Sequence, residues 1–161
     1  MSDTYPIVTY QAPSIRERSI EVSIEEITTK EFQDYLDKLT KTMRVEDGIG
    51  IASPQVGINK RIFIANIKGK NIVFINPLII KKSETTLITE EGCLSVPGVW
   101  GTVSRPKKIS IEAIDRHGRK LNMDLKNMDA IVFQHELDHL DGILFVDKVI
   151  EITRGKNPII N

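Results

Sequence analysis

Residues 133 to 142 read FQHELDHLDG, and within them His135, Glu136 and His139 have H-E-x-x-H spacing. On a helix, residues four apart sit nearly above one another, so two imidazoles can grip one metal ion while the glutamate stands beside it. A metal held this way lowers the pKa of its bound water, and the adjacent carboxylate can take the proton. That chemistry is hydrolysis. Two imidazoles still need a third ligand, and the extended pattern H-E-x-x-H-x-x-G-x-x-H does not supply it. The chain follows that pattern to Gly142 and then fails, because Phe145 stands where the third histidine would be.

The candidates for the third ligand are few. Asp141 and Asp147 are too near the helix or its exit to reach back easily, and Glu151 lies in the final residues. His117 sits beside Gly118 in an expected hairpin turn. Cys93 is left. An unpaired cysteine is usually a small buried hydrophobe. However, Gly92 before it and Pro97-Gly98 after it suggest a strand bending out of its sheet. A thiolate there could face the helix, and a thiolate with two imidazoles is a normal ligand set that leaves one position open. The residues themselves therefore point to a metal at Cys93, His135 and His139, with Glu136 as base.

The competing reading is a chance match on a solvated helix. Against it, Met128, Ile131, Val132, His135 and His139 share one face at helical spacing, and that face is otherwise apolar. The histidines should point inward. The same face sets Met128, Ile131 and Val132 beside the metal as an apolar slot, with Ile49 as the residue expected to complete it. Methionine, or a similar unbranched side chain, should suit that slot.

The elements that must position these groups can be read from periodicity. Residues 1 to 27 look extended or looped, punctuated by Pro6 and Pro13. Thr28 and Glu31 have capping-box spacing, and Phe32, Tyr35, Leu36, Leu39 and Met43 follow at helical intervals. That helix should end before the EDGIG turn at 46 to 50, and IASPQVG at 51 to 57 should be loop. RIFIANI and NIVFINP, joined by KGK, read as a β-hairpin. TTLITEEGCLSV, residues 85 to 96, is strand-like up to its glycine. KKISIEAID puts Ile109, Ile111 and Ala113 on one face, turns at RHGRK, and returns with Leu121, Met123 and Leu125. Asn127 is the expected cap of the last helix and Gly142 its terminator. The expected class is α+β: antiparallel hairpins and sheets packed around a C-terminal metal-binding helix, with one further N-terminal helix.

Length and composition are consistent with one domain spanning residues 1 to 161. Lys plus Arg (22) equals Asp plus Glu (22), so no overall field favours nucleic acid or anionic lipid. Nothing approaches the roughly 18 apolar residues of a membrane span. The first ten residues lack the profile of a signal peptide, and a single cysteine fits a reducing compartment, so a cytoplasmic protein is expected.

With these residues in view, the chain resembles the peptide deformylase family. It carries three motifs in the family's order: GIGIASPQ (48 to 55), EGCLS (91 to 95) and QHELDH (134 to 139). Their spacing fits from about residue 30 to residue 150. The resemblance implies removal of the formyl group from N-terminal formyl-methionine of new polypeptides, with release of formate. It assigns oxyanion donors to the Gln55 side-chain amide and the Leu94 backbone N–H. It gives Gly48 and Gly50 the task of letting backbone approach the substrate. It also implies that Glu91, beside the substrate, is held by Arg105 as a buried pair. One divalent metal per chain is implied, ferrous iron first, with nickel, cobalt or zinc as alternatives. The implied partners are N-formyl-methionyl nascent chains, with at most transient ribosome contact, and the neutral composition makes a monomer the expected state.

Three departures stand out. The first motif usually has alanine where this chain has Ser53. YQAPSIRERS follows the family's N-terminal pattern only loosely. EITRGKNPIIN offers no long basic tail for docking on a ribosome. Two other functions compete: an H-E-x-x-H peptidase of another type, and a deformylase-like binding protein with an inert metal.

Overall fold

A computed structural model of the chain describes residues 2–159; Met1, Ile160 and Asn161, the ends of the expected 1 to 161 unit, lie outside the described residues. Residues 1 to 27, expected as extended or looped chain, contain a 3-10 turn (Pro13–Arg16) and one turn of α-helix. Ser23 accepts a hydrogen bond from the Glu26 N–H and starts a short helix α1 (Ile24–Ile27). This also moves the cap of the long helix α2 (Lys30–Val45) from Thr28 to Thr29. Thr28 is taken up as the end of α1, at φ −80° and ψ −6°. Thr29 is extended, at ψ 147°, and its hydroxyl accepts from the Phe32 N–H at 3.2 Å.

Strands β1 (Gly50–Ala52), β2 (Ile62–Ile67) and β3 (Lys70–Lys82) are joined antiparallel by β6 (Lys108–Ile114) and β7 (Lys120–Lys126) in the order β1-β2-β3-β6-β7. The first strand corrects part of the expectation that residues 51 to 57 are loop: Ile51 and Ala52 pair with Ile64 and Phe63, and from Ser53 the chain leaves the sheet in a 3-10 turn. The β2–β3 hairpin turns on Lys68 and Gly69, both at positive φ, as a two-residue hairpin loop requires.

Alternation along β2 decides how the sheet is covered. Ile62 and Ile64 meet Phe32, Leu36, Leu39 and Met43 of α2. Phe63, Ala65 and Ile67 face the opposite way, into the core containing helix α3 (Met128–Leu140). Both faces of this strand are therefore buried, which explains its unbroken apolar run. Phe133 of α3 locks the second layer, edge-on to Phe63 and Phe74 at 5.0 and 5.1 Å.

A second antiparallel sheet has the order β4-β5-β8, formed by β4 (Thr86–Cys93), β5 (Val96–Pro106) and β8 (Glu151–Arg154). Neither β5 nor β8 was expected as a strand. β5 accommodates Pro97, Gly98, Gly101 and Pro106 at its ends and at irregular pairings. Val96, Val99 and Val103 pack against Leu144, Phe145 and Val146 on its inner face.

Helix α3 is buried on nearly every side, not on the single face that periodicity suggested: Ala130 through Gln134 are all buried. It runs between the first sheet and the cavity described below. Asn127 occupies its N-cap position but gives no side-chain cap, since the residue sits at φ 55°. The C-terminal end matches expectation. Gly142, at φ 74°, donates to His139 O at 3.1 Å, and a Cβ there would collide with the Arg16 carbonyl. Arg61 donates to Leu140 O at 3.1 Å and so caps the helix with a cation.

Candidate metal centre

Cys93 owes its direction to a break in the β4–β5 ladder. Pairing is regular from Thr86 opposite Pro106 to Gly92 opposite Trp100, and then Cys93 pairs with Val96. Pro97, Gly98 and Val99 are left bulged out, and Leu94-Ser95 closes the hairpin. A bulge bends its strand and re-aims the neighbouring side chain. Here it turns the thiol toward α3, and Cys93 Sγ lies 3.2 Å from His139 Nε2.

His135 and His139 come from successive turns of α3, with ring centroids 5.2 Å apart. One donor atom from each of Cys93, His135 and His139 lies within 4.8 Å of the other two. A tetrahedral ion with ordinary metal–sulfur and metal–nitrogen distances sets its ligands roughly 3.3–3.6 Å apart, so the group needs only slight contraction to bind one. Two observations support the fit. Glu136 Oε2 is buried with no hydrogen-bond partner among the described residues, in a structure whose other polar atoms are largely paired. And His135 Nδ1 lies 2.7 Å from Glu91 Oε1, the carboxylate support that orients a ligating imidazole and leaves its Nε2 free.

Glu91 does more than pair with Arg105. Arg105, 3% exposed, donates to both Glu91 oxygens at 2.6 and 2.9 Å and to Asp138 Oδ2 at 2.8 Å. Burial alone would raise the Glu91 pKa, but the hydrogen bonds from Arg105 and His135 outweigh it and lower it to about 2. Glu136 has no such partner among the described residues. Burial pushes its pKa up to about 7, which keeps a proton-accepting carboxylate poised near neutral pH. Burial also lowers the His139 pKa, favouring the neutral imidazole a ligand must be.

Gln55 divides its side chain between two tasks. Its Oε1 accepts from the Ala52 N–H at 2.9 Å, holding its own turn. Its Nε2 donates to Ser95 Oγ at 3.2 Å and approaches Cys93 Sγ at 3.5 Å. Gly50 meets a further need beside the one the motif suggested. A Cβ on it would lie 2.5 Å from Glu136 Oε1, so this glycine makes room for the glutamate.

These residues meet at a cavity of about 630 Å3. Ile131 and Val132 are buried in its wall, while Ile49 and Met128 stand at the mouth, 61% and 50% exposed. Glu91, Leu94, Gln55 and Gly50 line the same space. Two residues here had not been singled out from the sequence. Asp138 shares Arg105 with Glu91, and its place within HELDH was the one signal that could have drawn attention to it. Trp100 lies over Gly92 at the rim, and only its pairing opposite that glycine reveals the contact.

The polypeptide deformylase family model matches residues 4–155. The chain belongs to this family. A peptide deformylase of Fusobacterium nucleatum is 41% identical over 147 residues, covering 90% of this chain and 83% of that one. Another from Syntrophomonas wolfei is 47% identical over 116 residues, covering 72% and 76%. Among solved structures, the Met-Ala-Ser-bound deformylase of Acinetobacter baumannii superimposes with a TM-score of 0.89 at 31% identity, over 92% of this chain and all of that one. The actinonin complex of the Synechococcus elongatus deformylase gives 0.85 at 34% identity, over 91% and 79%. Family membership makes the chain a metal-dependent hydrolase, and Cys93, His135 and His139 are the group able to hold the metal. No helix among the described residues is long and apolar enough to cross a membrane.

Proposed function

We propose that the chain removes the formyl group from the N-terminal formyl-methionine of nascent polypeptides, and that Cys93, His135 and His139 hold the single divalent metal it needs. The observation that carries this reading is the buried, unpartnered Glu136 carboxylate beside the Cys93/His135/His139 cluster, on the wall of an apolar cavity. A cation in that donor set supplies Lewis acidity, which brings the pKa of water close to neutrality and polarises a carbonyl.

The chain's own residues do the rest. Glu136 takes the proton of the attacking water as its oxygen joins the formyl carbon. The same carboxyl then gives that proton to the amine as the carbon–nitrogen bond breaks, releasing formate and a free N-terminus. Gln55 Nε2 and the Leu94 N–H donate to the oxyanion that forms on the formyl carbon. Glu91, fixed by Arg105, holds His135 in one tautomer and orientation. Ile131, Val132 and Met128, with Ile49, receive the methionine side chain.

Ferrous iron is the metal we assign first, with nickel, cobalt and zinc as substitutes. The setting we infer is a cytoplasmic monomer of one domain, acting on chains as they leave the ribosome and without nucleic-acid specificity. The balance of 22 basic and 22 acidic residues supports the last point. Formate release from formyl-Met-Ala-Ser tests the activity. Glu136→Gln should keep the metal, because the amide has the same shape, and lose at least about a hundredfold in kcat. Near-normal turnover by that variant would remove Glu136 from the mechanism.

A further inference from the structure

Ser53 is fully buried, yet it carries a hydroxyl in the turn that presents Gln55. Its Oγ donates to Ile58 O at 2.8 Å and lies 2.6 Å from the Tyr35 hydroxyl. A serine hydroxyl has one proton, and the Ile58 carbonyl can only accept. Tyr35 O–H must therefore donate to Ser53 Oγ, which in turn donates to Ile58. The direction of the relay is fixed.

The relay ties three pieces of chain together. Tyr35 belongs to α2, on the side of the first sheet away from the metal ligands, where its ring packs against Tyr5 and Phe32 at 5.9 and 6.0 Å. Ser53 and Ile58 bracket the turn, and the Ile58 N–H also donates back to Ser53 O at 3.2 Å. Between them lies Gln55, whose amide nitrogen lies within 3.5 Å of Cys93 Sγ. The turn is thus clamped at both ends and anchored to a helix that takes no part in the chemistry. The Gln55 backbone carbonyl accepts from the Val8 N–H, and among the described residues its side chain bonds Ala52, Ser95 and, more loosely, Cys93. An amide required to point at a developing charge gains from such a clamp, since misplacement by about 1 Å can cost a hundredfold in rate.

We propose that Tyr35 and Ser53 are positioning residues for Gln55: their hydroxyl relay sets the turn that aims the Gln55 amide at the reacting carbonyl oxygen. This rests on the oxyanion role given to Gln55 above. It implies that loss of the relay lowers kcat rather than raising KM, because the interaction it tunes is made in the transition state.

The test is a set of variants assayed on formyl-Met-Ala-Ser, with thermal midpoints measured alongside. Ser53→Ala unties Ile58 and leaves the Tyr35 hydroxyl without its acceptor, so kcat should fall about tenfold with KM within about twofold. Tyr35→Phe removes one hydroxyl, keeps the Ser53–Ile58 bond and should cost about threefold in kcat, which serves if Ser53→Ala folds poorly. The deciding arm repeats each substitution in a Gln55→Ala background. There the effect on kcat should shrink to less than about twofold, while any drop in thermal midpoint persists. Equal losses of kcat in both backgrounds, or a change in stability alone, would overturn the positioning role and leave the oxyanion role of Gln55 intact. A Gln55→Ala single variant with wild-type kcat would overturn both.

Discussion

Gly50→Ala isolates the placement of the base from every other property of the site. Gly50 is not among the residues at positive φ, so alanine costs nothing in backbone conformation, and its pairing with Ala65 in β1–β2 is preserved. The added Cβ would sit 2.5 Å from Glu136 Oε1, 2.8 Å from Cδ and 2.9 Å from Cγ. Ordinary contact is about 3.5 Å, so the carboxylate must retreat by about 1 Å. A shift of that size at a reacting group costs about a hundredfold, or about 2.7 kcal/mol of barrier. Gly48→Ala should cost less, because its Cβ would meet Gly50 O at 3.2 Å and Leu94 Cδ1 at 3.3 Å, which neighbours can relieve by a few tenths of an ångström. Steady-state kinetics on formyl-Met-Ala-Ser, with metal content and circular dichroism as controls, reads the difference. If both alanine variants kept kcat within threefold of wild type while folded and metallated, Glu136 would not be the group whose position sets the rate.

Three other outcomes test separate parts of the site. Elemental analysis of anaerobically purified protein should find one divalent metal per chain, and Cys93→Ala should lose it; a metal that survives that substitution would contradict the ligand set. Arg105→Met strips the buried Glu91 and Asp138 carboxylates of their shared cation, so urea unfolding should show about 3–5 kcal/mol of lost stability. A loss below 1 kcal/mol would mean that the pair is not holding the cysteine-bearing strand. Formyl-Met and formyl-norleucine peptides should turn over within about tenfold of each other, since one small difference in an apolar slot is worth only about 1–3 kcal/mol. Formyl-Gly and formyl-Asp peptides should fall far below both in kcat/KM, and parity between formyl-Gly and formyl-Met would dissolve the pocket.

Much of the fold was legible because it follows from periodicity. The β6–β7 hairpin alternates cleanly, β2 and β3 are apolar runs joined by a glycine-bearing turn, and α2 repeats its apolar residues at helical spacing, so local pattern and final burial agree. The failures share a cause. Residues 96 to 106 form β5 despite two prolines and two glycines, because β4 on one side and β8 on the other supply the pairing that the segment's own composition argues against. Thr28 failed as a cap because a short helix ahead of it, invisible to a search for long periodic runs, had already claimed it.

The candidate site was legible where a residue's task depends on its own chemistry and illegible where it depends on a neighbour. Cys93, His135 and His139 are the right donor types, and elimination, the expected strand bend and the family's motifs pointed to them together before any geometry was known. Gly50 shows the other case. The motif marks it as a glycine, but nothing along the chain says that the atom it must avoid is Glu136 Oε1, 86 positions later. Glu91 stands between the two. Its pairing with Arg105 came from the resemblance, while its bond to His135 appears only once the bulge after Gly92 and the turn of α3 set the two side chains 2.7 Å apart. That single carboxylate joins the buried Arg105 cation to His135, so a change at Arg105 reaches the candidate metal group through Glu91, and also through Asp138 beside His139.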